Sequence, residues 1–245
     1  MKTSNKILIA SFALLTISLA FYDLRLKAEY QKGDYTDPYH DFVKLDYKNF
    51  DAVELESSSA INIMMVQGPF KVMASSHAMD YLNIQQEKNR LIIRAKFQDH
   101  YRSEPAQYIV YVSCPHLSGF KADASYLVDD LKVTDTIAKD PNWRTTMING
   151  FVADSLNIQQ DFASNVAVQN SKIKHLTATV GLSDKSGSVL TIGQNNKFDL
   201  ADLNILNRSH LWIKGTNLNN INYHLADSAS LIINGAEAKH LLKLK

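Results

Sequence analysis

The sequence has very little cysteine, since Cys114 is the only one among 245 residues. A lone cysteine excludes an intramolecular disulfide and a metal site built from several cysteines. The sequence therefore does not fit a small secreted scaffold held together by disulfide bonds. Because Cys114 precedes Pro115 at the end of an apolar run, we expect its thiol to be a buried, small hydrophobic group rather than a nucleophile.

The sequence also lacks an excess of charge, with 26 lysines and arginines against 25 aspartates and glutamates. Phosphate binding usually needs a basic excess on one face, so nucleic acid is not expected as the main partner. None of the eight histidines forms a His-Glu-x-x-His pair. No serine lies in a Gly-x-Ser-x-Gly elbow, and there is no glycine-rich phosphate loop. The sequence thus predicts no enzyme, no cofactor and no metal site.

One apolar run stands out, at the N-terminus, over residues 7–22. Lys2 and Lys6 precede this run, and Asp23 is the first charged residue after it. A positively charged start followed by an apolar stretch is the pattern of an export signal. The apolar run is shorter than the ~20 residues that cross a bilayer, unless flanking basic side chains reach back to the interface.

Two interpretations of this segment stay open, and both place the body of the protein outside the cytoplasm. Residues 1–27 are either a retained signal anchor or a signal peptide that is cleaved after Ala20, where small residues stand at the right spacing. The anchor is the favoured alternative, and a buried core helix is the least favoured one. Residues 28–41 are predicted to be a polar linker.

The rest of the chain, from residue 42, has the pattern of short strands. Residues 42–136 show no extended apolar period of 3.6 residues. Short apolar runs such as 91–95 and 108–112 are bounded by turn residues at intervals of about ten residues, which indicates an all-β fold. Residues 136–149 interrupt the pattern and are predicted to be an inserted loop. An antiparallel sandwich remains an alternative for residues 42–115.

The last third of the chain repeats itself. Ser188, Ser209 and Ser230 are 21 residues apart, and Ser164 precedes Ser188 by 24 residues. Self-similarity at about 20–25 residues is typical of a solenoid, in which each repeat buries its apolar side chains against the next. Asparagine and glycine are expected at the corners because they tolerate left-handed backbone conformations. The fold predicted for residues 42–245 is therefore a β-solenoid (β-helix) behind one N-terminal hydrophobic helix.

Carboxylates are the remaining candidates for catalysis, because enzymes that cleave polysaccharides use paired acids. Asp123, Asp129 and Asp130 form the best acidic cluster in the sequence. Asp199 and Asp202 come next, although three residues apart on one strand they would not share a face. Solvated acids at edges and corners are the simpler interpretation of both groups.

Trp212 is the candidate ligand contact. It alternates with Leu211 and Ile213, so if these two face the core the indole projects outward. An exposed aromatic ring could stack on a sugar or a protein partner, and coverage by a neighbouring loop is the alternative.

Four ordered elements between about residues 42 and 240 carry a resemblance to a known family. They are Asn-Phe-Asp-Ala-Val-Glu-Leu at 49–55 with the following Ala-Ile-Asn-Ile and Val-Gln-Gly, Phe-Lys-Val at 70–72 before Leu-Ile-Ile-Arg at 91–94, Tyr-Val-Ser-Cys-Pro-His-Leu at 111–117, and the serine-centred repeats. Together they resemble the bacterial envelope family named putative auto-transporter adhesin, head GIN domain. The sequence departs from it in its few Gly-Ala-Ser corners and in the insertion at 136–149.

The resemblance implies a right-handed parallel β-helix and transfers no catalytic residue. We therefore expect a non-enzymatic envelope protein, anchored in the membrane through its N-terminal segment or exported, with its body in the periplasm or at the cell surface. Its β-helix face would contact glycans or proteins. The alternatives are a polysaccharide-active β-helix enzyme and a passive structural module.

Overall fold

The computed structural model describes residues 3–33, 36–100, 108–138, 144–215, 220–234 and 238. The chain divides into two compact units, Met1–Phe42 and Val43–Lys245.

The first unit contains one long helix, α1, over Thr3–Lys32. None of its described residues is buried, and an 18-residue window has a mean hydropathy of 2.0. By length and composition the helix can cross a membrane, and a signal sequence would have the same properties. The helix continues past residue 27, the boundary predicted for the signal segment. It ends where Gly33 adopts a left-handed φ of 75°, a conformation that glycine takes at little cost.

The second unit is built from short strands. They are β1 (Phe42–Leu45), β2 (Ala52–Leu55), β3 (Ile63–Gln67), β4 (Lys71–Ser75), β5 (Leu82–Glu87), β6 (Arg90–Phe97), β7 (Val110–Cys114), β8 (Gly119–Ala122), β9 (Ser125–Val128), β10 (Leu131–Thr134), β11 (Thr146–Asn149), β12 (Val152–Gln160), β13 (Asn165–Gln169), β14 (Lys172–Val180), β15 (Val189–Ile192), β16 (Lys197–Ile205), β17 (His210–Ile213), β18 (Ile221–Leu225) and β19 (Ser230–Ile233). A short 3-10 helix, Ser76–Ala78, follows β4.

The strands form two large sheets, so the predicted β-rich class is confirmed. Sheet A has nine strands in the order β1-β4-β7-β3-β11-β13-β15-β17-β19. Sheet B has ten strands in the order β10-β9-β6-β2-β8-β12-β14-β16-β18, and β5 pairs with β6 beside them. Apolar side chains from both sheets form one continuous buried core.

From β11 onward, successive strands alternate between the two sheets and pair in parallel with the strand one repeat away. Val166, Leu190 and Leu211 are register partners on three neighbouring strands of sheet A. All three are fully buried, and burying such a side chain contributes about 1.5–3 kcal/mol. The sequence repeat thus corresponds to rows of stacked core side chains.

Both sheets are mixed, so the predicted right-handed parallel β-helix is not confirmed as such. β4 pairs antiparallel with β7, β5 with β6, and β10 with β9. The β9–β10 connection consists of Asp129 and Asp130, with φ of 49° and 60°. Positive φ at both central residues is typical of the tight hairpin turn that matches the strand twist. The first two of these pairs lie within residues 42–115, where an antiparallel arrangement had remained an alternative.

The predicted insertion at 136–149 is shorter than expected. Its last part, Thr146–Asn149, is strand β11, which pairs in parallel with β3 and β13. Thr146 and Ile148 are fully buried, so this strand belongs to sheet A. Residues 139–143, the centre of the predicted insertion, lie outside the described residues.

The corners confirm the expectation for asparagine and glycine. Asn170, Asn195 and Asn207 have φ of 53°, 58° and 54°, and Gly150 and Gly181 have φ of 76° and 84°. The side-chain amide of Asn195 donates to Asn170, whose amide donates to Asn149, with N–O distances of 3.0 and 2.8 Å. The corner amides therefore form a hydrogen-bonded row between repeats.

The recurring serines form a buried polar row, with one exception. Ser164 donates to Ser188 at 3.2 Å, and Ser209 Oγ accepts from the backbone N–H of Ser188 at 3.2 Å. All three are fully buried. Ser230 is instead the register partner of His210, next to Ser209 in the chain. Ser230 therefore lies one position out of the row that the other serines form.

Candidate binding faces

Trp212 lies on the outer side of sheet A, as its alternation predicts. Leu211 and Ile213 are fully buried, whereas Trp212 is only half-buried. Its register partners on the neighbouring strands are Thr191 and Ile232. The indole therefore sits in an outward-facing row between a threonine and an exposed isoleucine.

One face of the Trp212 ring is already occupied. Lys214 Nζ lies 3.3 Å from the ring centroid, a cation–π contact of the kind that contributes about 0.5–1 kcal/mol at partly exposed sites. Desolvation lowers the pKa of Lys214. The indole Nε1 is buried and has no hydrogen-bond partner within the described residues. A sugar that stacks on this ring face would have to displace the lysine.

The three acids of the best sequence cluster lie near the two ends of β9. Asp123 precedes β9, whereas Asp129 and Asp130 form the turn after it. Six residues of extended chain span about 20 Å. Asp123 accepts a hydrogen bond from Ser125 Oγ at 2.9 Å, and burial raises its pKa. Asp130 pairs with Lys96 at 2.7 Å and is largely exposed. Strand β9 therefore separates Asp123 from the Asp129–Asp130 turn.

Asp199 and Asp202 are both exposed, contrary to the simple alternation argument. Phe198 and Ala201 are buried, whereas Asp199 is exposed and Leu200 is half-buried. The pairing with β14 skips Asp199 at this point, because Phe198 pairs with Ile173 and Leu200 with His175. Lys174 is skipped on β14 at the same point, so the pairing offset is unchanged while the alternation of buried and exposed residues in β16 shifts by one position.

The outer side of sheet B carries two rows of polar side chains, which we call the polar face. Register partners on β12, β14, β16 and β18 define the first row, Asn157, Thr177, Asp202 and Asn222, and the second row, Gln159, Thr179, Asn204 and His224. The whole first row is exposed. Neighbouring strands lie about 4.8 Å apart, so hydrogen-bonding groups recur at that interval.

On the outer side of sheet B, the charged side chains around β2 form ion pairs with one another. Glu54 on β2 contacts Lys121 at 2.7 Å and Arg90 at 3.0 Å, and its side chain is only 8% exposed. Arg94 contacts Glu56 at 2.5 Å. These charged groups therefore satisfy each other. In the first row of the polar face, Asn222 Nδ2 donates to Asp202 Oδ1 at 3.0 Å, and within the described residues neither row forms an ion pair.

A groove of about 450 Å³ lies at the start of β12, β14 and β16, the strands that carry the polar face further along; we call it the corner groove. Val152, Ala153 and Ile173 form its apolar part. Its charged and titratable lining residues are His116, Asp154, Lys172, Lys174, Lys197 and Asp199. The volume falls in the range of about 300–1,000 Å³ typical of small-molecule sites.

The charges in the corner groove are arranged in two rows. Lys172 and Lys197 are register partners at the start of β14 and β16. In the second row, Lys174 Nζ contacts Asp154 Oδ1 at 2.7 Å. This hydrogen bond lowers the pKa of Asp154 and raises the pKa of Lys174. The charge of Asp199 also raises the pKa of Lys174, to a smaller extent.

Cys114 does not have the environment of a reactive thiol. Cys114 is fully buried, and burial raises the pKa of its thiol to about 12, with a smaller contribution from Asp51. A protonated thiol is neither a nucleophile nor a ligand. Within the described residues, no three His, Cys, Asp or Glu side chains are grouped to hold a metal ion.

The corner groove was not found from the sequence. Aligning Leu176-Thr177-Ala178 with Ala201-Asp202-Leu203 would have placed Lys172 beside Lys197, since both pairs have the same offset along the chain. The sequence repeat is instead most visible in the serines next to sheet A, where the offset between β13 and β15 is one position shorter. The pairing of Lys172 with Lys197 can be predicted from the sequence only when the repeats of sheet B are aligned with their own offset, which differs from that of sheet A.

Comparison with known proteins gives likeness only at the level of structure. No protein-family model matches the chain, and no curated protein matches it. A solved structure named "putative adhesin" from Parabacteroides distasonis ATCC 8503 is 14% identical, with a TM-score of 0.52 over 78% of this chain and 71% of that chain. At this identity the likeness concerns the fold alone.

Two other structures are more distant. A "putative adhesin" from Bacteroides fragilis NCTC 9343 is 10% identical, with a TM-score of 0.45 over 79% of this chain and 97% of that chain. A "putative lipid binding protein" from Parabacteroides distasonis ATCC 8503 is 12% identical, with a TM-score of 0.27 over 79% of this chain and 94% of that chain. Only the fold is therefore shared with the first of these structures, and the head GIN domain family is not confirmed.

Proposed function

We propose that the protein is a non-enzymatic, adhesin-like binding protein of the bacterial envelope that holds glycans or proteins on an outer sheet face. The observation that carries the proposal is the polar face of sheet B. Its first row, Asn157, Thr177, Asp202 and Asn222, is exposed and in register on four neighbouring strands. Repeated amide, hydroxyl and carboxylate groups suit a ligand that is itself a repeat of hydroxyl groups, such as a polysaccharide.

The architecture within this proposal is a solenoid over the C-terminal strands. The parallel pairing of β12 with β14 and of β14 with β16, each over nearly the full strand, supports it. Such a fold repeats one outer face without a deep cleft, which favours many weak contacts over one strong contact. Membership of the head GIN domain family and the right hand of the winding belong to the same proposal.

The location within this proposal is the non-cytoplasmic side of the membrane, with α1 as anchor or signal. Helix α1 is 30 residues long, more than the ~20 that cross a bilayer. Lys2 and Lys6 before the apolar run favour the orientation in which the N-terminus stays in the cytoplasm. The body would then follow into the periplasm or to the cell surface.

Trp212 is the second contact in the proposal. Its outward position beside Ile232 supports contact with a partner on sheet A. The ligand would take the place of Lys214 over the indole ring. Asp123 and the Asp129–Asp130 turn are proposed to be acids without a catalytic role, because β9 lies between them.

The test uses the full chain in lipid nanodiscs on a polysaccharide array, read for retention and for released products. We expect retention without products. Asn157→Ala with Thr177→Ala should weaken retention if the polar face binds, and Trp212→Ala should weaken it if sheet A binds. These side chains lie outside the core, so we expect the variants to fold. A measurement of folding for each variant serves as the control. Release of shortened chains would contradict the proposal and direct attention to Asp123, Asp129 and Asp130.

A further inference from the structure

Two lysines of the corner groove lie side by side without carboxylate partners. Lys172 and Lys197 are register partners on β14 and β16, and both are exposed. Strands at this distance place the two backbones about 4.8 Å apart. Neither ammonium group has an ion pair within the described part of the chain, whereas Lys174 in the same groove is bound to Asp154 at 2.7 Å.

The aspartates of the groove do not neutralise the positive charge of Lys172 and Lys197. Asp154 is bound to Lys174, and Asp199 also acts on Lys174. Three lysines and two aspartates leave the groove with a net positive charge, and the excess lies on the side of Lys172 and Lys197. Like charges at neighbouring positions repel each other, and an anion placed between them offsets that repulsion by attracting both.

The rest of the lining suits a sugar ring. Val152 is 58% exposed, and with Ala153 it offers a small apolar surface to the C–H face of a sugar. The groove crosses β12, β14 and β16, a width of about 10 Å at the usual strand spacing, and opens onto the strands that bear the polar face. A groove of this width is small for a folded protein partner, because stable protein contacts usually bury more than about 1,000 Å² in total.

We infer that the corner groove binds the carboxylate or sulfate groups of an acidic polysaccharide, between Lys172 and Lys197, while neighbouring sugar hydroxyls contact the polar face. This inference rests on the proposed function and names its ligand class. Each anionic group would accept hydrogen bonds from both ammonium groups, and Asp199 would accept one from a sugar hydroxyl.

The test compares three polymers with one backbone: neutral dextran, carboxymethyl dextran and dextran sulfate. The full chain is held in phosphatidylcholine nanodiscs, and Kd is measured at low and high salt. We expect at least one charged polymer to bind more tightly than dextran, with binding weakened by salt. The two charged polymers distinguish a carboxylate from a sulfate. Lys172→Gln with Lys197→Gln should raise Kd about tenfold, because each exposed ion pair contributes modestly.

The matched control is Lys44→Gln with Lys185→Gln, which removes the same charge at exposed positions that do not line the groove. We expect this control to change Kd less than about twofold. Three results would overturn the inference: equal effects of the two lysine pairs, equal binding of dextran and its charged forms, or no binding of any form. The proposed function would then still be tested separately by the polysaccharide array. Polyglutamate is measured in the same way as an additional probe, and lysine-dependent binding of polyglutamate alone would overturn the inference in favour of an acidic protein. Shortening of a bound polymer would instead overturn the proposed function.

Discussion

At the scale of single residues, burial decides the chemistry of Cys114. Its side chain has no exposed surface, and removal from water disfavours the thiolate. The pKa is raised to about 12 for this reason first and because of the nearby Asp51 carboxylate second. The sequence predicted this residue correctly as a buried small hydrophobic group, because it ends an apolar strand.

The folded protein should therefore not react with iodoacetamide at Cys114 near pH 8, and should react fully in urea, as mass spectrometry would report. The folded thiol keeps its proton up to about pH 12, whereas the ordinary pKa is 9.0. Stability that is present below pH 9 is accordingly lost as the pH rises from 9 towards 12. Rapid labelling of the folded chain would contradict this account of the thiol.

Gly181 and Gly150 allow strain and crowding to be separated. Both have left-handed φ, of 84° and 76°. A Cβ at Gly181 would lie 2.6 Å from the Leu206 carbonyl oxygen, whereas a Cβ at Gly150 would meet nothing within 4 Å. We expect Gly150→Ala to lower the free energy of unfolding by about 1–2 kcal/mol from backbone strain alone. Gly181→Ala should lower the free energy of unfolding by about 1–3 kcal/mol more than Gly150→Ala, because the added Cβ clashes with its neighbours. Equal midpoints in urea for the two variants would show that the close approach does not matter.

Some residue positions follow from alternation and others do not. The outward side of Trp212 is predictable because Leu211 and Ile213 obey a simple period of two. The common exposure of Asp199 and Asp202 is not predictable in this way, since the alternation of buried and exposed residues in β16 shifts by one position at Leu200. The cation over the Trp212 ring was also not foreseen, although Lys214 follows two positions later in the chain.

At the scale of elements, the serine row shows why the repeat is visible in the sequence. Ser188 Oγ donates to the Phe162 carbonyl at 2.6 Å, and the Ser188 backbone N–H donates to Ser209 Oγ at 3.2 Å. A buried hydroxyl needs such partners, so serine recurs at each repeat. Ser230 lies outside the row because β19 pairs with β17 in a register that sets it opposite His210.

Ser188→Ala should therefore destabilise the protein by about 1–3 kcal/mol, because it leaves buried partners unsatisfied. Ser230→Ala is the matched control, since the side chain of this half-buried serine contacts the His210 ring near the last strand, and we expect a loss below about 1 kcal/mol. Urea unfolding of both variants measures the difference. A larger loss for Ser230→Ala would contradict the assignment of the buried row.

Strand existence was easier to predict than strand pairing. Short apolar runs identified β6 and β7, and the recurring serines marked the positions of β13, β15, β17 and β19. The antiparallel pairing of β6 with β5 and of β7 with β4 was not predicted, because the alternation of side chains along a strand is the same in parallel and antiparallel pairs. Strand β11 was missed because its four residues, Thr146–Asn149, fall within the irregular stretch, and only pairing with β3 and β13 reveals it.

At the scale of the whole molecule, the chain joins an apolar helix to a β body with two outer faces. The polar face was foreseen only in general terms, as a face of repeated strands. The corner groove combines residues from β12, β14 and β16 with His116, so it requires the relative register of strands from separate repeats. No short motif in the sequence carries that register.

The most direct test of the central claim asks whether the body lies outside the cytoplasm, where an envelope binding protein must act. Thr177 is exposed on the polar face, and the native Cys114 is buried. The full chain with Thr177→Cys is produced in cells whose outer envelope is opened while the cytoplasmic membrane stays intact, and a membrane-impermeant maleimide is added. We expect labelling of the variant before lysis and none of the unsubstituted chain. Labelling that appears only after lysis would contradict the account.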